Sequence, residues 1–265
     1  MVTMSTQQIL QLEGVHNFRD YGGYALTGGG RLKRGLLWRS GQHHGATDAD
    51  LSVIADLGLT SVFDLRTTKE RDLYPCRRPP SFGAAVHFSD DPSSPKIAPH
   101  IEAAARSGEG GPEVIRELMR DTYRGIAFRP ELVAMIASMV RTLIEDEGPS
   151  LVNCMAGKDR TGVSVAAIQL AVGVHPDDVM ADYLLTNTAG NIEARIAAGM
   201  GTVGAIYKGI TEEGARAIMG VDEEYLNTAY NAIDERYCSF DAYLANGIGI
   251  DAAARDRLKA ALAEF

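Results

Sequence analysis

Cysteine is scarce in this chain: Cys76, Cys154 and Cys238 are the only three among 265 residues, an odd number at wide and irregular spacing. That excludes a disulfide framework and a structural zinc site, and free thiols in a reducing compartment are the expected state. Long apolar runs are missing as well. The longest, Val163 to Val174, is too short for a bilayer and contains Gln169, so no integral membrane association is expected. Basic residues are in the minority, Lys and Arg numbering 26 against 35 Asp and Glu, and the formal net charge is −9. Such a balance opposes generic binding to nucleic acid or to an anionic membrane surface. The opening MVTMSTQQILQLEG has neither a basic n-region nor an apolar h-region of secretory length, which makes a cytoplasmic location the expectation. An anionic substrate must therefore be captured by a local feature.

What is present is an ordinary globular composition, 45% hydrophobic and 23% charged, on a chain long enough to bury a sizeable core. The first third reads as short strands and turns, VHNFRDYGGYAL and then GGGRLKRGLLWRS, with Gly28, Gly29 and Gly30 marking a reversal. TDADLSVIADLG follows as a helix, Thr47 capping its start and Gly58 closing its end, and LTSVFDLRT reads as a buried strand. This strand–helix–strand beginning predicts an α/β fold. Helical spacing dominates EVIRELMRDTYRGIAF, PELVAMIASMVRTLIEDEG, HPDDVMADYLLTN and the final stretch from Val221. No repeat or linker divides the chain. One domain over 1–265 is expected, with a flexible loop or lid at 89–112, rich in Pro, Ser and Gly, and a glycine-broken helical insertion at 190–220.

The local feature is LVNCMAGKDRTGVS, residues 151 to 164. Leu151 and Val152 end a buried strand, and TGVSVAAIQLAVG begins a helix that is apolar almost all round. A tight loop between strand and helix aims successive N–H groups and the positive end of the helix dipole at one point, an anion receptor. Cys154 and Arg160 stand in C-x5-R spacing around it. The amides of Met155, Ala156, Gly157, Lys158, Asp159 and Arg160 can wrap a tetrahedral oxyanion while the guanidinium grips two of its oxygens. The same donors stabilise a thiolate, the nucleophilic form of Cys154. Attack at phosphorus gives a cysteinyl-phosphate, hydrolysed later by water, with no metal or cofactor required. The Thr161 hydroxyl is expected on the sulfur, Gly162 completes the Thr-Gly ending, and Lys158 adds positive charge at the rim. A nucleotide-binding loop fits less well, since Lys158 is followed by Asp159 and no glycine stands at 152. Sulfur-transfer loops of rhodanese type are usually one residue shorter.

NCMAGKDRTG resembles the Cys-x5-Arg signature of protein tyrosine phosphatases, in the CxAGKDRTG form of bacterial tyrosine and phosphoinositide phosphatases. NFRDYGGY, LLWRSGQ, VFDLRTTKE, ADYLLTN and EEYLNTAYNAIDERYCSFDAYLANGIGI extend the resemblance over nearly the whole chain. It implies a mostly parallel sheet flanked by helices, the loop at the carboxyl end of a central strand, and activity on phosphorylated protein or phosphoinositide. The family normally has histidine before the cysteine, where this chain has Asn153. The imidazole's support for the thiolate must then come from an amide or be lost. In the second case the chain is a weak pseudophosphatase that only binds phosphorylated partners.

A general acid must protonate the leaving oxygen. Resemblance and position together put Asp159 first and Asp64 second, with Asp90 and Asp91 behind them. The alternative roles are an ion pair with Lys158 or Arg160 for Asp159, and one with Arg66 for Asp64. Arg66 and Glu70 read as structural, and Arg19, Asp20, Arg39 and Ser40 as holding the sheet edge near the site. His43 and His44 have no ligand pattern around them, and no metal site is expected.

Overall fold

The computed structural model describes residues 9–89, 111–146, 148–197 and 211–265. Of the expected lid, residues 90–110 lie outside those described, Asp90 and Asp91 among them, as do residues 198–210 of the expected insertion.

Strands β1 (Arg19–Asp20), β3 (Leu37–Ser40), β4 (Ser61–Asp64), β5 (Ala85–Phe88) and β6 (Ser150–Asn153) form one sheet in the order β1-β3-β6-β4-β5. Only the β1–β3 pair is antiparallel; β3, β6, β4 and β5 run parallel. Side chains alternate between the two faces, as the two-residue period of a strand requires. Leu37, Phe63 and Val152 join one hydrophobic core, and their neighbours Trp38, Val62 and Leu151 join a second on the opposite face. Buried on both sides, these strands read as apolar runs without alternation.

Helix α1 (Asp48–Asp56) covers the second face with Leu51 and Ile54. Its start is set as expected: the Thr47 hydroxyl accepts from the Asp50 amide, and the Asp50 carboxylate accepts in return from Thr47. Helix α2 (Thr68–Leu73) opens with the same reciprocal cap, built from Thr67 and Glu70. The first face is covered by α3 (Pro112–Ile126), α4 (Pro130–Glu145), α5 (Asp159–Val172), α6 (Pro176–Leu184), α7 (Glu223–Tyr237) and α8 (Ala252–Leu262). Helix α5 is buried almost all round and stops at Gly173, whose φ of +95° suits a residue without a Cβ.

Two strands escaped the sequence reading. β5 is one. The other ends the stretch expected to be wholly helical from Val221: β7 (Ala263–Glu264) pairs antiparallel with β2 (Arg31–Leu32). Two paired residues are too short for any periodicity to announce.

Candidate active site

Strand register brings Ser40, Asn153 and Asp64 side by side at the carboxyl ends of β3, β6 and β4. This edge is where parallel α/β sheets present ligand sites. The chain leaves central strand β6 there, passes through Cys154, which is buried, and enters α5 five residues after the thiol. The loop carbonyls point away into the scaffold. Met155 O accepts from the Gln42 amide at 3.2 Å. Gly157 O accepts from Asn17 Nδ2 at 2.6 Å and from Arg39 Nη2 at 3.0 Å. Among the described residues, no protein acceptor takes the N–H of Met155, Ala156, Gly157 or Lys158. Gly157 and Lys158 are buried and Met155 and Ala156 half-buried, and amides withdrawn from water are normally paired. A row of unpaired amides beside a buried thiol at a helix N-terminus has the geometry of an anion receptor.

Gly157 makes the loop possible. Its φ is +68°, and a Cβ there would lie 2.4 Å from the Ser40 backbone. Behind it stands a charge network closed to water. Asp182 on α6 receives Arg39 Nη1 at 2.6 Å and Arg19 Nε at 3.2 Å, and all three side chains are at most 1% exposed. Arg19 also donates to the Asn17 side chain. Burial works to raise the Asp182 pKa, but the two guanidinium groups outweigh it and hold the carboxyl below its ordinary value. Arg19 and Arg39 thus hold the sheet edge as expected, through a carboxylate more than 140 positions away in the chain.

The opposite flank belongs to Arg160. Its Nη1 donates to Glu70 Oε2 at 2.7 Å and to Leu65 O at 2.9 Å, and its Nη2 donates to Glu70 Oε1 at 2.8 Å. Among the described residues, nothing accepts from its Nε–H or its second Nη2–H. They lie on one edge of the guanidinium, a free fork of the kind that grips two oxygens of a phosphate. Glu70 is therefore no mere structural acid: it aims the arginine. Burial pushes its pKa up, and the bonds and charge of Arg160 with those from Thr67 bring it below the ordinary carboxylate range.

Asp159 keeps about a quarter of its side chain exposed. Its Oδ1 accepts from Lys158 Nζ at 2.7 Å and from the Tyr123 hydroxyl at 2.7 Å, and Tyr123 in turn accepts from the Tyr183 hydroxyl at 2.7 Å. Lys158 was expected at the rim but is 5% exposed, because this pair draws it inward. Asp64 is also buried, and it takes the alternative role weighed for it: Arg66 grips it through Nε at 2.8 Å and Nη2 at 2.6 Å. Asn153 Nδ2 adds a bond to Asp64 at 3.3 Å. Asn153 Nδ2 thus turns to Asp64, while its Oδ1 is buried with no hydrogen-bond partner among the described residues. Thr161 Oγ1, expected on the sulfur, is buried without a hydrogen-bond partner among the described residues.

His43 is buried, with Nε2 3.0 Å from Ser40 Oγ and its amide donating to Cys76 Sγ at 3.3 Å. Burial first, and then the charges of Arg78 and Arg66, push its pKa down to about 3. It is a neutral core histidine under β3. Arg129, at the start of α4, adds positive charge near the loop, its pKa lowered by burial and by Arg160.

Sequence reasoning missed Asp182, Tyr123, Tyr183 and the role of Glu70. One signal was available: Thr67 and Glu70 three apart, a capping box beside a candidate phosphate loop.

Residues 10–264 match the tyrosine phosphatase family. The triple specificity protein phosphatase PtpB of Mycobacterium tuberculosis is 32% identical over 282 aligned residues, covering 96% of this chain and 99% of that one. A protein of Cupriavidus necator predicted to be a tyrosine-protein phosphatase is 30% identical over 255, covering 92% of this chain and 85% of its own.

Proposed function

The chain belongs to the tyrosine phosphatase family and is a phosphatase of that kind, and we propose that Cys154, Arg160 and Asp159 divide its chemistry among them. Cys154 attacks phosphorus as the thiolate. The free amides of Met155 to Lys158 and the open edge of Arg160 hold the equatorial oxygens and take the charge that builds on them in the transition state. Asp159 gives its proton to the leaving oxygen, and a water molecule then cleaves the cysteinyl-phosphate with the same carboxylate as base. Asp64 is set aside for this role because both its oxygens are engaged by Arg66 in a buried pair. The observation that carries the reading is the division of the loop into bonded carbonyls and unbonded amides around a buried cysteine.

The substrate class is phosphorylated protein, tyrosine foremost, with phosphoinositides as a second group. Lys158, Arg160 and Arg129 place positive charge about the loop of an otherwise acidic chain, which suits a substrate with more than one negative group. The name of the Mycobacterium tuberculosis relative, a triple specificity phosphatase, supports a broad acceptor range. No helix among the described residues is long and apolar enough to cross a membrane, in keeping with a cytoplasmic enzyme that meets lipid substrates from the water side. Hydrolysis of p-nitrophenyl phosphate, with and without vanadate, tests the reading alongside a Cys154→Ser variant. Vanadate-sensitive turnover that disappears in the variant is the expected result, and turnover surviving in Cys154→Ser would overturn the mechanism.

A further inference from the structure

Asp159 is anchored by a chain of two buried hydroxyls, carried on rings that meet edge to face. Tyr183 on α6 and Tyr123 on α3 are each at most 1% exposed. A phenol has one hydrogen to give. Since Tyr183 donates to Tyr123 at 2.7 Å, the Tyr123 hydrogen is directed onto Asp159 Oδ1, also at 2.7 Å. Lys158 Nζ points at the same oxygen. Both donors occupy Oδ1, so Oδ1 must remain an acceptor whether or not the carboxyl is protonated. The proton of the acid is then confined to Oδ2.

We propose that Tyr123, held by Tyr183, is a positioning residue for the general acid: it fixes Oδ1 as the carbonyl oxygen of Asp159 and leaves Oδ2–H to face the leaving group. This deepens the assignment of Asp159 and rests on it. The sequence neighbour of Tyr183, Asp182, steadies the other end of the loop through Arg39 and Gly157 O. One turn of α6 therefore controls both the phosphate cradle and the acid. Tyr183 also packs its ring against Gly162, where a Cβ would come within 3.0 Å of it, which sets α6 close against the start of α5. Burial, and then the charge of Asp159, raise the Tyr123 pKa well above that of a free phenol, so the hydroxyl stays protonated and able to donate through the working pH range.

The test compares Asp159→Asn, Tyr123→Phe and Tyr183→Phe on aryl phosphates with good and poor leaving groups. Phenylalanine keeps the buried rings and removes only the hydroxyl. Tyr123→Phe is expected to lower kcat on phenyl phosphate by about tenfold, a part of the 100-fold or more that a general acid supplies, and to leave an activated aryl phosphate nearly unchanged. Tyr183→Phe does the same more weakly, and it carries the test if Tyr123→Phe fails to fold. Leaving-group asymmetry in Asp159→Asn without any in the tyrosine variants overturns the positioning role alone. Absence of asymmetry in Asp159→Asn overturns the acid assignment and the positioning role with it.

Discussion

The loop from Cys154 to Arg160 is held from two sides by charged groups of opposite design. On the β1–β3 side, Asn17, Arg19, Arg39 and Asp182 form a network sealed from water that ends on the Gly157 carbonyl. On the β4–α2 side, Glu70 holds Arg160, whose side chain keeps 19% of its surface exposed. The first network never meets substrate. The second ends in a side chain with one edge bonded to protein and one edge open. Buried charges are costly unless every member is paired, so the sealed side contributes a fixed shape. The half-open side contributes a charge that keeps its protein partner and still offers an edge to a second one, and full burial would defeat that purpose. A loop that binds an anion through its backbone needs both: carbonyls immobilised behind it and a cation free in front.

Removing Asp182 separates the two sides most strongly. Asp182→Ala strands two buried guanidinium groups, and the loss is expected at about 3–5 kcal/mol, out of a total stability of roughly 5–15 kcal/mol. Denaturant unfolding should show a greatly lowered midpoint, or no folded protein. A loss under 1 kcal/mol would mean that the sealed network is not what shapes the loop.

Glu70→Gln is the counterpart on the open side, and it should act on catalysis more than on stability. With Arg160 no longer held in both directions, kcat/KM is expected to fall by about 10- to 100-fold, the scale of a misplaced positioning group. Steady-state kinetics on p-nitrophenyl phosphate checks this against the denaturation midpoint. A stability loss as large as that of Asp182→Ala, with unchanged kinetics, would erase the distinction between the two sides.

Acid should also distinguish the flanks. His43, buried under β3 with its pKa pushed down to about 3 from 6.5, binds its proton in the unfolded chain before it does so in the folded one. Stability is then lost as pH falls from 6.5 toward 3. Glu70 and Asp182, both held below their ordinary values of 4.5 and 3.8, begin to subtract only below those values. Unfolding midpoints measured from pH 7 downward should therefore already decline above pH 5, and His43→Gln should remove most of that early decline, the remainder coming from His16, which burial and Arg195 also hold below 6.5. A flat midpoint between pH 6.5 and 5 in the parent protein would contradict the burial of a neutral His43.

The smallest effect belongs to charges that hold nothing. Arg216 bonds Glu193 and Glu212 at the surface, and exposed pairs contribute little. Arg216→Gln should leave both the unfolding midpoint and kcat/KM within error, which gives the series its baseline.

How much of this was written in the sequence follows the same division. Local features were legible: the strand–loop–helix around Cys154, the cap at Thr47, the close at Gly58 and the spacing to Arg160 each depend on residues near one another in the chain. Arg160 and Glu70 lie 90 positions apart, and Arg39 and Asp182 lie 143 apart. No periodicity connects such pairs, because the sheet order β1-β3-β6-β4-β5 brings them together only after crossovers. Lys158 and Asp64 show the converse. Their ion pairs were foreseeable from neighbours one and two residues away, yet their burial depended on what packs above them. The departure at Asn153 was legible as a departure, but its contact with Asp64 required the register of β6 on β4.

The central claim is that the unpaired amides and Arg160 present phosphorus to Cys154 for covalent attack. Rapid acid quenching of turnover on a fast aryl phosphate, followed by peptide mass analysis, measures this directly. The account predicts one phosphoryl group on the peptide that contains Cys154, present during turnover and absent in Cys154→Ser. Steady turnover with no phosphoryl group on Cys154, or with that group on another residue, would contradict it.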